Sequence, residues 1–300
     1  MRLIIFNPFC QSFSREMETG SVYCLMMKDM KMHSKLIQKI TAPNASMFTG
    51  GGTNTYLIGK EEITIVDPGP NIETHINEIA NAVGEKATRI LVTHTHRDHS
   101  PGVRPLKDIL NIPSYGLMVE QDDGHQDKTF TPDKVLGHGD VIDCEEYKIE
   151  VIHTPGHASN HLCYLVHDAS TLITGDHIMN GSTVVIAPPD GNMKQYLSSL
   201  KLLKDYAFDY IAPGHGDYLE DPVAVVDWII NHRLQRESKV HECLKKISPC
   251  DVNDLVKLVY DDVDPKLHPI ALWSLTAHLE KLEEDGIAVL SEDKKIWSLN

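Results

Sequence analysis

The sequence lacks a hydrophobic run long enough to cross a membrane. A membrane-spanning helix needs ~20 consecutive apolar residues, but the longest apolar runs here, such as residues 90–92 and 223–226, are interrupted within a few positions. The apolar start at residues 1–6 stops at Asn7 and Pro8, before it reaches the ~7–15 residues of a signal-peptide core. We therefore expect a cytoplasmic protein with no membrane partner.

Cysteine and positive charge are also scarce. The six cysteines stand singly along 300 residues, without the spacing of a zinc knuckle or the density of a disulfide framework, so we expect free thiols. Lysine and arginine number 28 against 43 aspartates and glutamates, and the formal net charge is -15. This balance disfavours a general binder of nucleic-acid backbones. It is compatible with a local positive site, because bound metal ions dominate their surroundings.

The order of apolar runs and turns predicts an α/β protein. Residues 1–33 hold six of the ten methionines without a clear period, and we interpret them as a variable N-terminal extension. Strands and helices then alternate through a predicted catalytic domain at 34–225, which favours helices covering sheets. Strands are predicted at 55–58, 63–66, 89–93, 114–117, 147–152, 162–166, 171–174, 183–186 and 210–212, and helices at 72–83, 103–110 and 193–204.

The C-terminal part has a different pattern. A long helix to about residue 246 is followed by helices at 252–260 and 270–284 and strands at 287–290 and 295–299. We predict a linker helix and a small winged-helix-like domain over 226–300. Residues 250–300 carry eleven acidic side chains against five lysines and no arginine, so a structural or dimerising cap is favoured over a DNA-binding module. A homodimer is the corresponding expectation.

The run His94-Thr95-His96-Arg97-Asp98-His99 predicts a metal centre. It follows a predicted apolar strand directly, so alternate side chains can converge at the strand's end. A single histidine is usually a surface or core residue, but imidazole and carboxylate groups together suit zinc. Four such groups within six positions favour metal binding.

Three later residues complete the set of candidate ligands: His157, Asp176 and His215. Each follows a predicted strand and adjoins a glycine, which permits a close approach to an ion. Gly214-His215-Gly216-Asp217 also occurs at 137–140, but His138 precedes a strand, so we predict a surface turn for His138 and ligation for His215. For His153, His161 and His177 we favour packing or a supporting hydrogen bond.

These elements, together with Asp67 in Ile65-Val66-Asp67-Pro68-Gly69, resemble the five ordered motifs of the metallo-β-lactamase superfamily over roughly residues 50–220. The resemblance implies an αββα sandwich with two zinc ions at one edge of the facing sheets. It implies that His94, His96 and His157 hold the first zinc, that Asp98, His99 and His215 hold the second, and that Asp176 bridges them. Asp67 would orient a ligand histidine and its loop.

A two-zinc site implies a hydrolase. Two metal ions would lower the pKa of a bridging water, so a bridging hydroxide is the expected nucleophile, and Asp98 is assigned as the acceptor of its proton. The phrase Gly52-Thr53-Asn54-Thr55-Tyr56 and the C-terminal module resemble the beta-lactamase-like protein 2 group, whose animal members cleave single-stranded RNA. Glyoxalase II is a near relative. We therefore expect a small molecule or a short single-stranded RNA as substrate, with a phosphodiester ahead of a thioester.

Other functions fit less well. A bridging aspartate at position 176 resembles the thioesterase and nuclease branches more than the β-lactamases. Flavodiiron proteins usually have a carboxylate at the place of His96, whereas persulfide dioxygenases keep the histidine run but bind one iron. A non-enzymatic nucleic-acid binder would use the C-terminal module, whose acidity disfavours it.

Overall fold

The computed structural model describes residues 36–119 and 124–300, so the extension predicted at 1–33 lies outside the described residues. Two six-stranded sheets form the centre of the larger domain. The first contains β1 (Ile37–Thr41), β2 (Asn54–Ile58), β3 (Ile63–Val66), β4 (Ala87–Leu91), β5 (Ser114–Gly116) and β6 (Lys134–Val135) in that spatial order. Strands β1 to β3 pair antiparallel, and β3 to β6 pair parallel.

The second sheet has the order β12-β11-β10-β9-β8-β7. Its strands are β7 (Val141–Asp143), β8 (Lys148–His153), β9 (Leu162–Val166), β10 (Thr171–Gly175), β11 (Tyr210–Pro213) and β12 (Leu219–Glu220). Strands β10 and β11 are parallel, and the other neighbouring pairs are antiparallel. Because β4, β10 and β11 each end near one edge of the sandwich, the loops that follow them can meet there.

Helices cover the outer faces of both sheets. Helices α1 (Glu73–Val83) and α2 (Val103–Leu110) bury Ile76 and Leu106 against the first sheet. Helix α3 (Met193–Leu202) and the first half of α4 (Pro222–Ile247) cover the second sheet. A separate core between the sheets includes Tyr56 and Tyr164. The result is the predicted αββα sandwich.

A winged-helix domain follows. It contains β13 (Cys250–Asp251), α5 (Val252–Val259), α6 (His268–Glu284), β14 (Ala288–Leu290) and β15 (Ile296–Leu299). Its three strands have the order β13-β15-β14, and its core includes Val240 of α4 and Trp297. Within the described ranges, no helix combines the length and apolarity that a membrane crossing requires.

One predicted strand is wrong. Residues 183–186 have no strand or helix, although Val184 and Ile186 are almost fully buried. Both side chains pack into the core under α3 and α4. Buried and partly exposed residues therefore alternate here as they do in a strand, but the backbone of this segment pairs with no strand among the described residues. The helix predicted at 193–204 ends at Leu202 and continues as a 3₁₀ turn. Strand β1 and the short strands β6, β7, β12 and β13 were not predicted.

Candidate metal centre

The predicted site residues gather at the ends of the central strands. The run from His94 to His99 follows β4, and His157 lies in the loop after β8. Asp176 comes directly after β10, and His215 comes two residues after β11. Strand ends are rigid supports for loop side chains, so the fold places residues that are more than 100 positions apart at one edge of the sandwich.

The side chains form two sets whose possible metal-binding atoms lie within 4.8 Å of one another. We call the first set the histidine group; it consists of His94, His96 and His157. We call the second set the mixed group; it consists of Asp98, His99, Asp176 and His215. The structure therefore brings together all seven residues that the sequence singled out as ligands.

In the histidine group, three ring nitrogens point toward a common centre. His96 Nδ1 lies 2.9 Å from His94 Nε2 and 3.0 Å from His157 Nε2. His157 donates its Nδ1 proton to the carbonyl of Val185 at 2.8 Å, which leaves a lone pair on Nε2. Burial, followed by the proximity of His96, lowers the pKa of His157 to about 4. Neutral imidazoles with converging lone pairs are the form in which histidine binds metal ions.

In the mixed group, buried polar atoms face one another without proper hydrogen bonds. His99 Nε2 lies 3.3 Å from Asp176 Oδ1 and 3.5 Å from an Asp98 oxygen, yet neither His99 Nε2 nor Asp176 Oδ1 has a hydrogen-bond partner. His215 Nε2 lies 3.2 Å from Asp98 and 3.3 Å from Asp176. A divalent cation coordinated by these atoms would satisfy them, because buried polar groups need partners. The residues therefore fit a metal ion.

The carboxylate of Asp176 faces both groups. Its Oδ1 is directed at His99 and His215, while its Oδ2 lies 3.7 Å from His157 Nε2. Burial raises the pKa of Asp176, but the adjacent His215 and His99 outweigh burial and hold it well below its usual range. Asp98 shows the same balance, with a pKa of about 2. Both carboxylates are therefore ionised and available to cations.

Asp67 supports the site without being part of either group. One of its oxygens accepts from the backbone N–H of Thr93 at 2.7 Å, and the other accepts from the Thr93 hydroxyl at 2.6 Å and from His99 Nδ1 at 2.9 Å. These bonds fix the His99 ring so that Nε2 points to the mixed group. A carboxylate behind a histidine is a frequent arrangement at metal sites.

Three contacts at the site were not predicted from the sequence. The carbonyls of Gly52 and Val185 accept from His215 Nδ1 and His157 Nδ1 at 3.1 and 2.8 Å, and Thr53 Oγ1 lies 3.5 Å from Asp98. Backbone carbonyls leave no trace in the residue types, because every residue has one. Thr53 had a signal, since it lies in the run of residues 52–56 that resembles the beta-lactamase-like protein 2 group.

The four histidines that the sequence analysis weighed against ligation lie outside both groups. His138 is exposed in a turn before β7, as expected for the second copy of the tetrapeptide. His161 bonds Thr154 Oγ1 at 2.9 Å and stacks on His94 with ring centroids 5.1 Å apart. His153 bonds the carbonyl of Ser159, and His177 packs edge-on against Tyr196. These contacts agree with the packing and supporting hydrogen bonds expected for them, but His161 Nε2 and both ring nitrogens of His177 are buried without a hydrogen-bond partner in the described part of the chain.

The layered fold and the candidate metal edge together define a hydrolase of the metallo-β-lactamase type. Residues 48–215 match the family model of the metallo-beta-lactamase superfamily, and residues 252–297 match that of the beta-lactamase associated winged helix domain. The first match covers more than half of the chain. The chain belongs to the metallo-beta-lactamase superfamily.

Individual proteins resemble it over most of its length. The beta-lactamase-like protein 2 homolog of Drosophila melanogaster is 30% identical over 262 residues, which cover 83% of this chain and 88% of that protein. An atrochrysone carboxyl ACP thioesterase of Aspergillus chevalieri is 30% identical over 228 residues, 73% of this chain and 69% of the thioesterase. The solved structure of a beta-lactamase domain protein from Burkholderia ambifaria has a TM-score of 0.76 at 21% identity, covering 89% of this chain and 92% of that one.

Proposed function

We propose that the protein is a dinuclear zinc hydrolase that cleaves phosphodiesters, with short single-stranded RNA as its substrate. The observation that carries the proposal is the position of Asp176, whose two oxygens face the histidine group and the mixed group. One carboxylate shared by two adjacent sets of ligands suits a two-metal site. Histidine nitrogens and carboxylate oxygens are ligands that zinc accepts.

The chain's own residues have distinct roles in this proposal. His94, His96 and His157 would hold one zinc, and Asp98, His99 and His215 the other, with Asp176 between them. When bound, the two ions would lower the pKa of a water molecule and polarise the scissile bond. Asp98 is the more exposed of the two site carboxylates, at 29% against 11% for Asp176, so it is the group placed to accept a proton from an entering water.

A groove beside the histidine run supports a phosphodiester substrate. It has a volume of about 450 Å³, and its lining includes Arg97, Arg104 and Lys128. Arg97 lies between His96 and Asp98 in the chain, so the groove shares its histidine-run loop with both groups, although none of the seven candidate ligands lines it. The groove's carboxylate, Asp127, is engaged by Ser100 Oγ and Thr129 Oγ1 at 2.8 and 2.6 Å. Arginine forks match phosphate geometry, and a few such contacts suffice for a short oligonucleotide despite the net acidity of the chain.

Metal analysis and an activity panel test the proposal. We expect two zinc ions per chain and cleavage of a single-stranded RNA oligonucleotide that falls more than 100-fold in Asp176→Ala. Replacing Arg97 and Arg104 by glutamine should raise KM for RNA about 10-fold with little change in kcat, because the two side chains would contact a phosphate remote from the bond that breaks. Lys148→Gln is the matched control, since Lys148 is exposed at the start of β8, at the opposite end from the loop that holds His157.

A thioesterase is the alternative function, supported by the similarity to the Aspergillus chevalieri thioesterase. S-lactoylglutathione and an acyl carrier protein thioester belong in the same panel. Turnover of a thioester by the zinc-loaded protein, without RNA cleavage, would replace the proposed substrate class but keep the metal site. One iron per chain would contradict the dinuclear zinc site itself.

A further inference from the structure

A buried irregular segment, residues 184–186, connects the histidine group with the C-terminal helices. Since this segment has no neighbouring strand, its backbone groups need other partners. The carbonyl of Val184 accepts from Arg233 Nη2 of α4. The carbonyl of Val185 accepts from His157 Nδ1 at 2.8 Å, and the N–H of Ile186 lies 3.5 Å from Ser274 Oγ of α6. Side chains from both C-terminal helices therefore flank the carbonyl that orients a predicted metal ligand.

Arg233 occupies an unusual position for a charged residue. It is only 4% exposed, and among residues 36–119 and 124–300 no carboxylate lies within ion-pair distance of it. Its guanidinium lies 5.5 Å from the centroid of the Tyr196 ring. Burying a charge without a counterion costs free energy. The contacts with the Val184 carbonyl and the aromatic face offset part of this cost, while Arg233 Nε has no hydrogen-bond partner among the described residues.

Tyr196 packs against the residue that precedes His157. A Cβ atom at Gly156 would come within 2.3 Å of Tyr196 Cα, so the residue before His157 lies directly against α3. Arg233 thus contacts two neighbours of the loop that holds this histidine: Tyr196, whose backbone packs against Gly156, and the segment whose Val185 carbonyl accepts from His157 Nδ1. In the mixed group, by contrast, His99 is oriented by Asp67 and His215 by Gly52.

We propose that Arg233 is a positioning residue for the histidine group, through which the C-terminal helices control metal loading of that group. The proposal rests on metal binding at the histidine group, as put forward under the proposed function. Arg233 holds residues 184–186 in place, the Val185 carbonyl then keeps the proton on His157 Nδ1, and Nε2 stays directed at the metal. Loss of Arg233 lowers the affinity of the histidine group for metal and leaves the affinity of the mixed group unchanged.

The test is a zinc titration against a chelator with Arg233→Met and Arg233→Lys. Residues that orient a metal ligand typically contribute 10- to 100-fold in metal affinity. We therefore expect Arg233→Met to bind one zinc ion as tightly as the wild type and the second about 10- to 100-fold more weakly. His157→Ala serves as the reference, because it should lower the affinity of the same site further. Arg233→Lys keeps the charge and one donor but loses the planar stacking, so its affinity should fall at least threefold and lie between those of the wild type and Arg233→Met.

Arg236→Met is the matched control. Arg236 is three residues further along α4, where it pairs with Asp262 at 2.8 and 2.9 Å and lies 4.4 Å from the ring centroid of Tyr260. Its contacts remain within the C-terminal domain. Arg236→Met should lower the melting temperature but bind both zinc ions with unchanged affinity.

The outcomes separate the two proposals. A wild-type protein that binds fewer than two zinc ions contradicts the proposed function. A wild-type protein with two ions, together with unchanged affinity in Arg233→Met, overturns the positioning role, and so does an equal loss in Arg236→Met. If Arg233→Met does not fold, Arg233→Lys decides: wild-type affinity at both groups, or a loss at the mixed group, overturns the inference, and a loss confined to the site that His157→Ala also weakens supports it.

Discussion

At the scale of single residues, Asp67 acts on the candidate metal centre through His99. We expect Asp67→Asn to weaken zinc binding at the mixed group about 10- to 100-fold. Asp67 accepts through both oxygens, whereas asparagine has one accepting oxygen and its amide nitrogen only donates, so the three bonds from Thr93 and His99 cannot all be kept. Chelator competition measures the change. Asp140→Asn is the control, since Asp140 is exposed and accepts from Gly137 in a surface turn. Equal affinities in the wild type and both variants would contradict the role of Asp67.

The two Gly-His-Gly-Asp segments provide a test with built-in symmetry. His215 is 3% exposed and faces Asp98 and Asp176, whereas His138 is exposed in a turn. His215→Ala should remove one zinc equivalent, and His138→Ala should retain both. Metal content after dialysis distinguishes them. Loss of zinc in His138→Ala would mean that the wrong copy had been assigned to the site.

At the scale of elements, the loop after β8 depends on a glycine with an unusual backbone. Gly156 has φ +138°, and a Cβ atom there would clash with Tyr196 of α3. Gly156→Ala should therefore lower the free energy of unfolding by roughly 3 kcal/mol, from overpacking and backbone strain together. Gly181 has φ +87°, and among the described residues a Cβ atom there would meet nothing within 4 Å apart from its chain neighbours, so Gly181→Ala should cost about 1 kcal/mol. Denaturant unfolding compares the two, and equal losses would contradict the packing argument.

Helix α6 carries a carboxylate that resists ionisation. Burial, with Glu283 and Glu284 nearby, raises the pKa of Glu280 to about 7. Because the folded protein binds this proton more tightly than the unfolded chain, the stabilisation is complete below pH ~4.5 and is lost as the pH rises through 7. Between those values, the unfolding free energy of the wild type should fall relative to Glu280→Gln by roughly 2 kcal/mol. Glu292 is exposed in a turn, so the unfolding free energy of Glu292→Gln should depend on pH as that of the wild type does. A difference between the wild type and Glu280→Gln that does not change with pH would contradict the raised pKa of Glu280.

At the scale of the whole molecule, α4 joins the two domains. Its residues Val226 and Ile229 lie in the core beneath the second sheet, while Val240 and Leu244 lie in the C-terminal core. Helix α6 is shared in the same way, since Ala277 packs in the first of these cores and Leu279 in the second. Shared helices couple the cores, because neither can lose its packing without exposing the other.

We therefore expect the two domains to unfold in one transition. Trp228 packs against the first core, and Trp297 is 4% exposed in the second. Two variants that each keep one of these tryptophans, with Trp273 and the other replaced by phenylalanine, report on the cores separately. Fluorescence midpoints in denaturant should coincide. An earlier midpoint for Trp297 would show that the winged helix unfolds independently.

The sequence by itself determined which side chains could bind metal and in what order they occur. His94, His96, Asp98 and His99 are neighbours in the chain, so their proximity needs only a strand followed by a loop. His157, Asp176 and His215 each follow an apolar strand and adjoin a glycine, and the resemblance to the metallo-β-lactamase superfamily implied that they meet the run at one edge of the sheets. Residue types and the order of predicted strands and helices can be read directly from the sequence, and they were sufficient to predict an α/β protein.

Only the tertiary structure decided how those side chains are held. The carbonyls of Gly52 and Val185, which orient His215 and His157, are identical in chemistry to every other carbonyl of the chain. Arg233 is 76 residues from His157 and is connected to it through a segment for which the sequence pattern had predicted a strand. A backbone acceptor becomes specific only when packing brings one donor to it, and that selection is made by contacts between distant elements.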